Sequence, residues 1–213
     1  MPPGTVDAES VKRKLRFDYL KVRNEPPSKV LDVFSAVLAH YYRPNIVVHD
    51  LIQDAANQIQ RGLRLRWVMI GLKSELDGLY RYEVHSGMRP DAWANQKSRA
   101  YKLETFDTYG DYKAGEISKL TRVYLEEENP LDKASEGVAN RPILLGSRRK
   151  NEMETLEADF IDTLIYGPNN DLLGWIEYSG TVTGHFPEAM TIRNIEIVAG
   201  ILGVGLYMHG KHG

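Results

Sequence analysis

Two seven-residue runs, Phe160 to Tyr166 and Leu172 to Tyr178, are separated by only five residues, Gly167-Pro168-Asn169-Asn170-Asp171. Both runs are rich in β-branched, aromatic and aliphatic side chains, and the link is built from turn formers. A link this short cannot hold a crossover helix, so the pair predicts an antiparallel hairpin and argues against a doubly wound parallel sheet. An earlier pair points the same way. Trp67 to Leu72 is a compact apolar run of strand length, followed by the turn signal Asp77-Gly78 and a clean alternation. In that alternation Tyr80, Tyr82 and Val84 are expected on one side and Arg81, Glu83 and His85 on the other.

Helical periodicity brackets these hairpins. After Pro26-Pro27-Ser28, the apolar positions Val30, Leu31, Phe34, Val37, Leu38 and Tyr41 predict a helix capped by Ser28 and ended by Pro44. A second helix carries Val48, Leu51, Ile52, Ala55, Ala56 and Ile59 and stops near Gly62. A short helix is expected within Pro90 to Ala100, a strand within Leu120 to Leu125, and a last helix after Pro187 with the stripe Ile192, Ile195, Val198, Ala199 and Leu202. The order predicts an α+β domain, an antiparallel sheet of five to six strands flanked by helices. With 213 residues and 24.2 kDa, the chain has room for one such domain over 29–213. Residues 1–28 then read as an N-terminal tail with a short basic helix from Lys12 to Arg23, whose charge reads as a solvated face. Segments 101–115 and 130–157 hold no sustained period, as functional connections do.

The chain has no cysteine, which excludes disulfides, thiolate metal sites, iron–sulfur clusters and thiol nucleophiles, and suits a cytoplasmic home. A net charge of −2 gives no field toward nucleic acid or an anionic membrane, so neither is an expected partner. The apolar run Ile197 to Met208 is too short to span a bilayer and reads as a buried helix. The six histidines include no helical pair at i, i+4 and no HExxH, so no metal site is predicted. P-loop, GxSxG and GxGxxG motifs are likewise lacking, and the acidic runs Glu126-Glu127-Glu128 and Glu152 to Glu157 read as solvated loop charges.

Over about residues 30 to 208 the order resembles a GAF domain, a small-molecule-sensing fold related to PAS. The likeness is carried by the hairpin Phe160 to Tyr178 with its Leu173-Gly174-Trp175 step, by Gly184-His185-Phe186-Pro187 before the last helix, and by Ile117-Ser118-Lys119-Leu120-Thr121-Arg122-Val123-Tyr124. The resemblance implies a ligand cup between the sheet and the helix and loop after the first hairpin. Its candidate ligand-binding residues are His85, Arg89, Trp93, Tyr101, Tyr109, Arg122 and Tyr124, a set suited to a planar or anionic metabolite. It also implies a homodimer through the terminal helices and output through a signalling protein partner. Bilin attachment and methionine sulfoxide reduction, which this family performs through cysteine, cannot be carried over. The cofactor is left unknown; haem on a single histidine would point to His85 or His185. Asn95, Lys97, Phe106 and Asp111 follow the order of a pattern found in cyclic-nucleotide-binding members, but with Asn and Lys apart and no Glu after Asp111 they are read as coincidence. The resemblance implies sensing or regulation; the alternative is a cysteine-independent enzyme, or a metal- or haem-binding protein, using the same cup.

Overall fold

The computed structural model describes residues 26–43, 45–106 and 112–210. The basic segment Lys12 to Arg23, Pro44, Tyr109 and Asp111 lie outside them. The described chain forms helices α1 (Pro26–Ala39) and α2 (Val48–Gly62), strands β1 (Val68–Lys73) and β2 (Tyr80–Ser86), and a short α3 (Pro90–Lys97). Strands β3 (Gly115–Glu116), β4 (Thr121–Tyr124), β5 (Phe160–Tyr166) and β6 (Leu172–Tyr178) follow, and α4 (Ala189–Gly210) ends it. The six strands make one sheet in the order β2-β1-β6-β5-β4-β3, with every neighbouring pair antiparallel. Both hairpins therefore form where turn chemistry predicts them, with Gly78 and Asn170 at positive φ in their links.

Two small differences from the sequence reading concern helix starts. Helix α1 is described from Pro26, so Ser28 lies within the helix. The last helix begins at Ala189, two residues after Pro187.

One face of the sheet is covered by α1, α2 and α4. Here Val68, Ile70, Ile161, Ile165 and Ile176 meet Leu51, Ile52 and Ile59 of α2 and Ile195, Val198 and Leu202 of α4, all fully buried. Each such side chain contributes roughly 1.5–3 kcal/mol by leaving water. Helix α4 has the length and apolarity to cross a bilayer, yet its predicted stripe is the part packed on β5, so it serves here as a core helix.

The opposite face carries a second, aromatic core of Tyr80, Tyr82, Phe106 and Trp175 beneath α3 and the following loops. How β2 serves both faces corrects the simple alternation. Ile70 pairs with Val84 but Gly71 pairs with Tyr82, so Glu83 is an unpaired bulge residue. Val84 consequently joins the helical core, while Tyr82 and Tyr80 turn to the aromatic one together with the side of the strand that holds His85.

The long connection before β5 is held by buried carboxylates, contrary to their reading as solvated charges. Glu126 accepts the amides of Gly146 (2.5 Å) and Ala158 (2.9 Å), and Asp159 accepts those of Glu126 (2.9 Å) and Leu156 (2.7 Å). Glu157 takes the backbone N–H and Nε of Arg141 at 2.6 and 2.9 Å, and Arg149 pairs with Asp159 at 2.9 Å. Loop amides without a sheet partner must be satisfied somewhere, and these side chains supply the acceptors.

Candidate functional site

Between the aromatic face of the sheet and the segments after α3 lies a cavity of about 100 Å³, room for several waters or one small ring. Its floor belongs to the strands. Reading across the sheet by register, Arg122 of β4 faces Asp162 of β5, which faces Glu177 of β6, which faces Met69 of β1, which faces His85 of β2. Two pairs along, Trp175 lies over Gly71 so closely that a Cβ there would sit 2.1 Å from the indole ring. Tyr82, Trp175, Phe160 and Tyr124 line the floor beside the two acids, and Gln96, Arg99, Tyr101 and Phe106 close it from above.

Asp162 and Glu177 are both buried in this apolar setting. The hydroxyl of Tyr82 donates to Glu177 Oε2 at 2.5 Å. Burial pushes the Glu177 carboxyl up to about 7 against the smaller stabilising pull of its Tyr82 and Trp175 bonds. Asp162 is raised well above the ordinary range, first by burial and then by the Glu177 charge, with the Arg122 charge opposing. The two carboxyls hold protons as a pair. Asp162 Oδ1 and Gln96 Oε1, both buried, have no hydrogen-bond partner.

Several GAF domains of known structure match this architecture. That of a phosphoenolpyruvate-protein phosphotransferase from Acinetobacter superposes with a TM-score of 0.54 at 11% identity, over 89% of this chain and 96% of that one. The corresponding domain from Coxiella burnetii gives 0.52 at 13% identity, over 88% and 96%. The GAF domain of A. aeolicus nlh2 gives 0.53 at 13%, over 84% and 96%. The chain has the GAF fold. No family model and no curated protein matches the sequence.

Within this GAF fold the residues picked from sequence are distributed unevenly. Tyr101 and Tyr124 line the cavity: the first meets Tyr82 and Trp175 edge-on at 5.7 and 5.8 Å, the second stacks on Phe160 at 4.4 Å. His85 and Trp93 pack together at 4.5 Å outside the lining, and His85 Nδ1 is buried without a partner, which with Lys97 nearby lowers its proton affinity. Arg122 flanks Asp162 but gives its guanidinium to the Phe106 carbonyl. Arg89 pairs with Asp91 at 3.0 Å toward solvent, and its amide donates to Asn140. Tyr109 is not among the described residues. His185 lies apart from the cavity, in a polar cleft with Arg66 and Arg141. Among the described residues no group of three His, Asp or Glu side chains is placed to hold a metal.

Sequence reasoning missed Tyr82, Asp162, Trp175 and Glu177. A signal for the acids existed: each is the lone charge in a β run that is otherwise uncharged, and the hairpin sets them opposite one another.

The pair makes a pH prediction. The folded state keeps a proton on Glu177 up to about pH 7, whereas an unfolded glutamate releases it from its ordinary value of 4.5. Between those values the native state binds more protons than the unfolded one, so stability must fall as pH rises. The expected loss is about 3 kcal/mol from pH 4.5 to 7.5 in urea unfolding, and Glu177→Gln should flatten it. A rising or level profile would show that the pair is ionised in the native state.

Proposed function

We propose that this chain is a ligand-sensing regulatory domain whose ligand occupies the aromatic cavity. The observation that carries the reading is a cavity walled by rings in which buried polar atoms, Asp162 Oδ1 and Gln96 Oε1, lack partners. Burying an unpaired polar atom costs about 1–3 kcal/mol, which a bound molecule recovers. Output passes through a homodimer of the helical layer. Met190, Ile197 and Val204 of α4 recur every seven residues and stand 64%, 49% and 55% exposed, and Leu31 and Leu38 repeat the spacing on the adjoining α1. A signalling protein partner would read the state of that dimer.

Native mass spectrometry of freshly purified protein beside its denatured mass tests both parts. The expected result is a dimer carrying extra mass, with Ile197→Glu giving a monomer that retains the bound molecule. A clean apo monomer counts against both. A second reading has one observation behind it: Glu177, with its proton held near neutrality in a cavity, could serve as a general acid in an enzyme. Steady turnover by the pure protein would select it.

A further inference from the structure

The cavity's chemistry is narrower than its shape. Among the described residues its lining carries three carboxyl groups, Asp162, Glu177 and Glu157, against one cation, Arg99. Glu157 is already satisfied by Arg141 and Arg66. Asp162 shares a hydrogen bond with Glu177 but its Oδ1 is unmet: Arg122, its register partner on β4, sends its guanidinium to the Phe106 carbonyl instead. The two buried unpartnered atoms on the lining, Asp162 Oδ1 and Gln96 Oε1, are both oxygen acceptors. What they lack is a donor.

Resting on the reading of this cavity as the ligand site, we propose that it takes a small planar cation of the amidinium or guanidinium class, whose N–H groups meet Asp162 and Gln96 and whose flat face lies against Trp175 and Tyr82. A forked planar donor matches a carboxylate bidentately, and electron-rich rings favour a cation over their faces. Tyr82 and Trp175 touch each other, ring centroids 4.8 Å apart at 57°, and so offer the lining two adjoining tilted ring faces.

Binding is linked to protons. The groups facing the acid pair are Tyr82 from β2, Arg99 and Tyr101 from the segment after α3, and Arg122 and Tyr124 from β4, with His85 one strand beyond Met69. Burial raises the tyrosines and lowers His85, so the carboxyl pair is the group raised toward neutrality. A cation selects the ionised pair and expels a proton. Affinity therefore rises with pH, by up to tenfold per pH unit for each proton expelled.

The test is calorimetry on the full chain with benzamidinium, using benzamide as its uncharged analogue and benzoate as its opposite charge, at pH 6 and 7.5 in two buffers of unlike ionisation enthalpy. Benzamidinium should bind with proton release and about eightfold more tightly at the higher pH, and benzamide and benzoate should not bind. Asp162→Asn should weaken it at least tenfold; Glu177→Gln, which keeps an acceptor for Tyr82, should reduce the pH dependence and the number of protons released, with near-ultraviolet circular dichroism confirming that both variants fold. Binding of benzoate or benzamide in place of benzamidinium overturns the cation assignment and leaves the cavity as a ligand site. If no probe binds and no retained mass is found, the cavity reading falls along with it.

Discussion

Gly203→Ala will lose about 3 kcal/mol or more of stability in chemical unfolding, whereas Gly200→Ala, one turn earlier in the same helix, will gain about 0.5–1 kcal/mol. The two glycines differ only in what lies beside them. A Cβ at Gly203 would stand 2.2 Å from the backbone carbonyl oxygen of Tyr166 on β5, an atom that cannot rotate away. The helix would have to lift off the sheet, opening contacts of Val198, Ala199 and Leu202 with the core. At Gly200 nothing lies within 4 Å, so alanine adds only helix propensity. Equal effects at the two positions would mean that α4 is not seated on β5 as described.

Trp175→Ala is the second large effect, expected at about 3–5 kcal/mol. Its ring meets Tyr82 at 4.8 Å, Phe106 at 5.0 Å, Tyr101 at 5.8 Å and Tyr80 at 6.4 Å, so one truncation removes the hub of the aromatic core. The partners are anchored by other bonds: Tyr82 to Glu177, and Tyr80 through its hydroxyl to the Leu172 carbonyl at 3.0 Å. They cannot collapse freely into the space, which places the cost at the upper end of that range and enlarges the cavity. Trp67→Ala, at the cavity's margin, serves as comparison and should cost less. A loss under about 1 kcal/mol at Trp175 would show that the aromatic core repacks.

The architecture was legible because both hairpins and the three long helices are written in local periods. Leu51, Ile52, Ala55, Ala56 and Ile59 recur at helical spacing and all lie in the core, as does the stripe from Ile192 to Leu202. The cavity was less legible for two physical reasons. Strand periodicity assumes an unbroken ladder and so puts Tyr82 and Tyr80 on the side of Val84 and away from that of His85, but the bulge at Glu83 breaks it. Burial of an acid depends on which backbone amides surround it, a tertiary property. Thus Glu126 and Glu157 turn inward to hold the loop while Glu128, in the same acidic run as Glu126, does not. Tyr101 and Tyr124 were reachable from sequence because the resemblance fixed which segments wall the cup.

The extra residue in β2 also decides how this hairpin would bear shortening. Glu83 acts as a spacer: with it removed, Val84 and Tyr82 become consecutive, the ladder runs regularly, and every remaining side chain stays on the side it now occupies. Deleting Arg81 instead would send Tyr80 across to the helical layer and leave Phe106, 5.0 Å from its ring, without that neighbour. Equal losses of length are thus unequal in meaning, and the one that looks most damaging, at a charged residue in mid-strand, is the one the sheet is built to absorb.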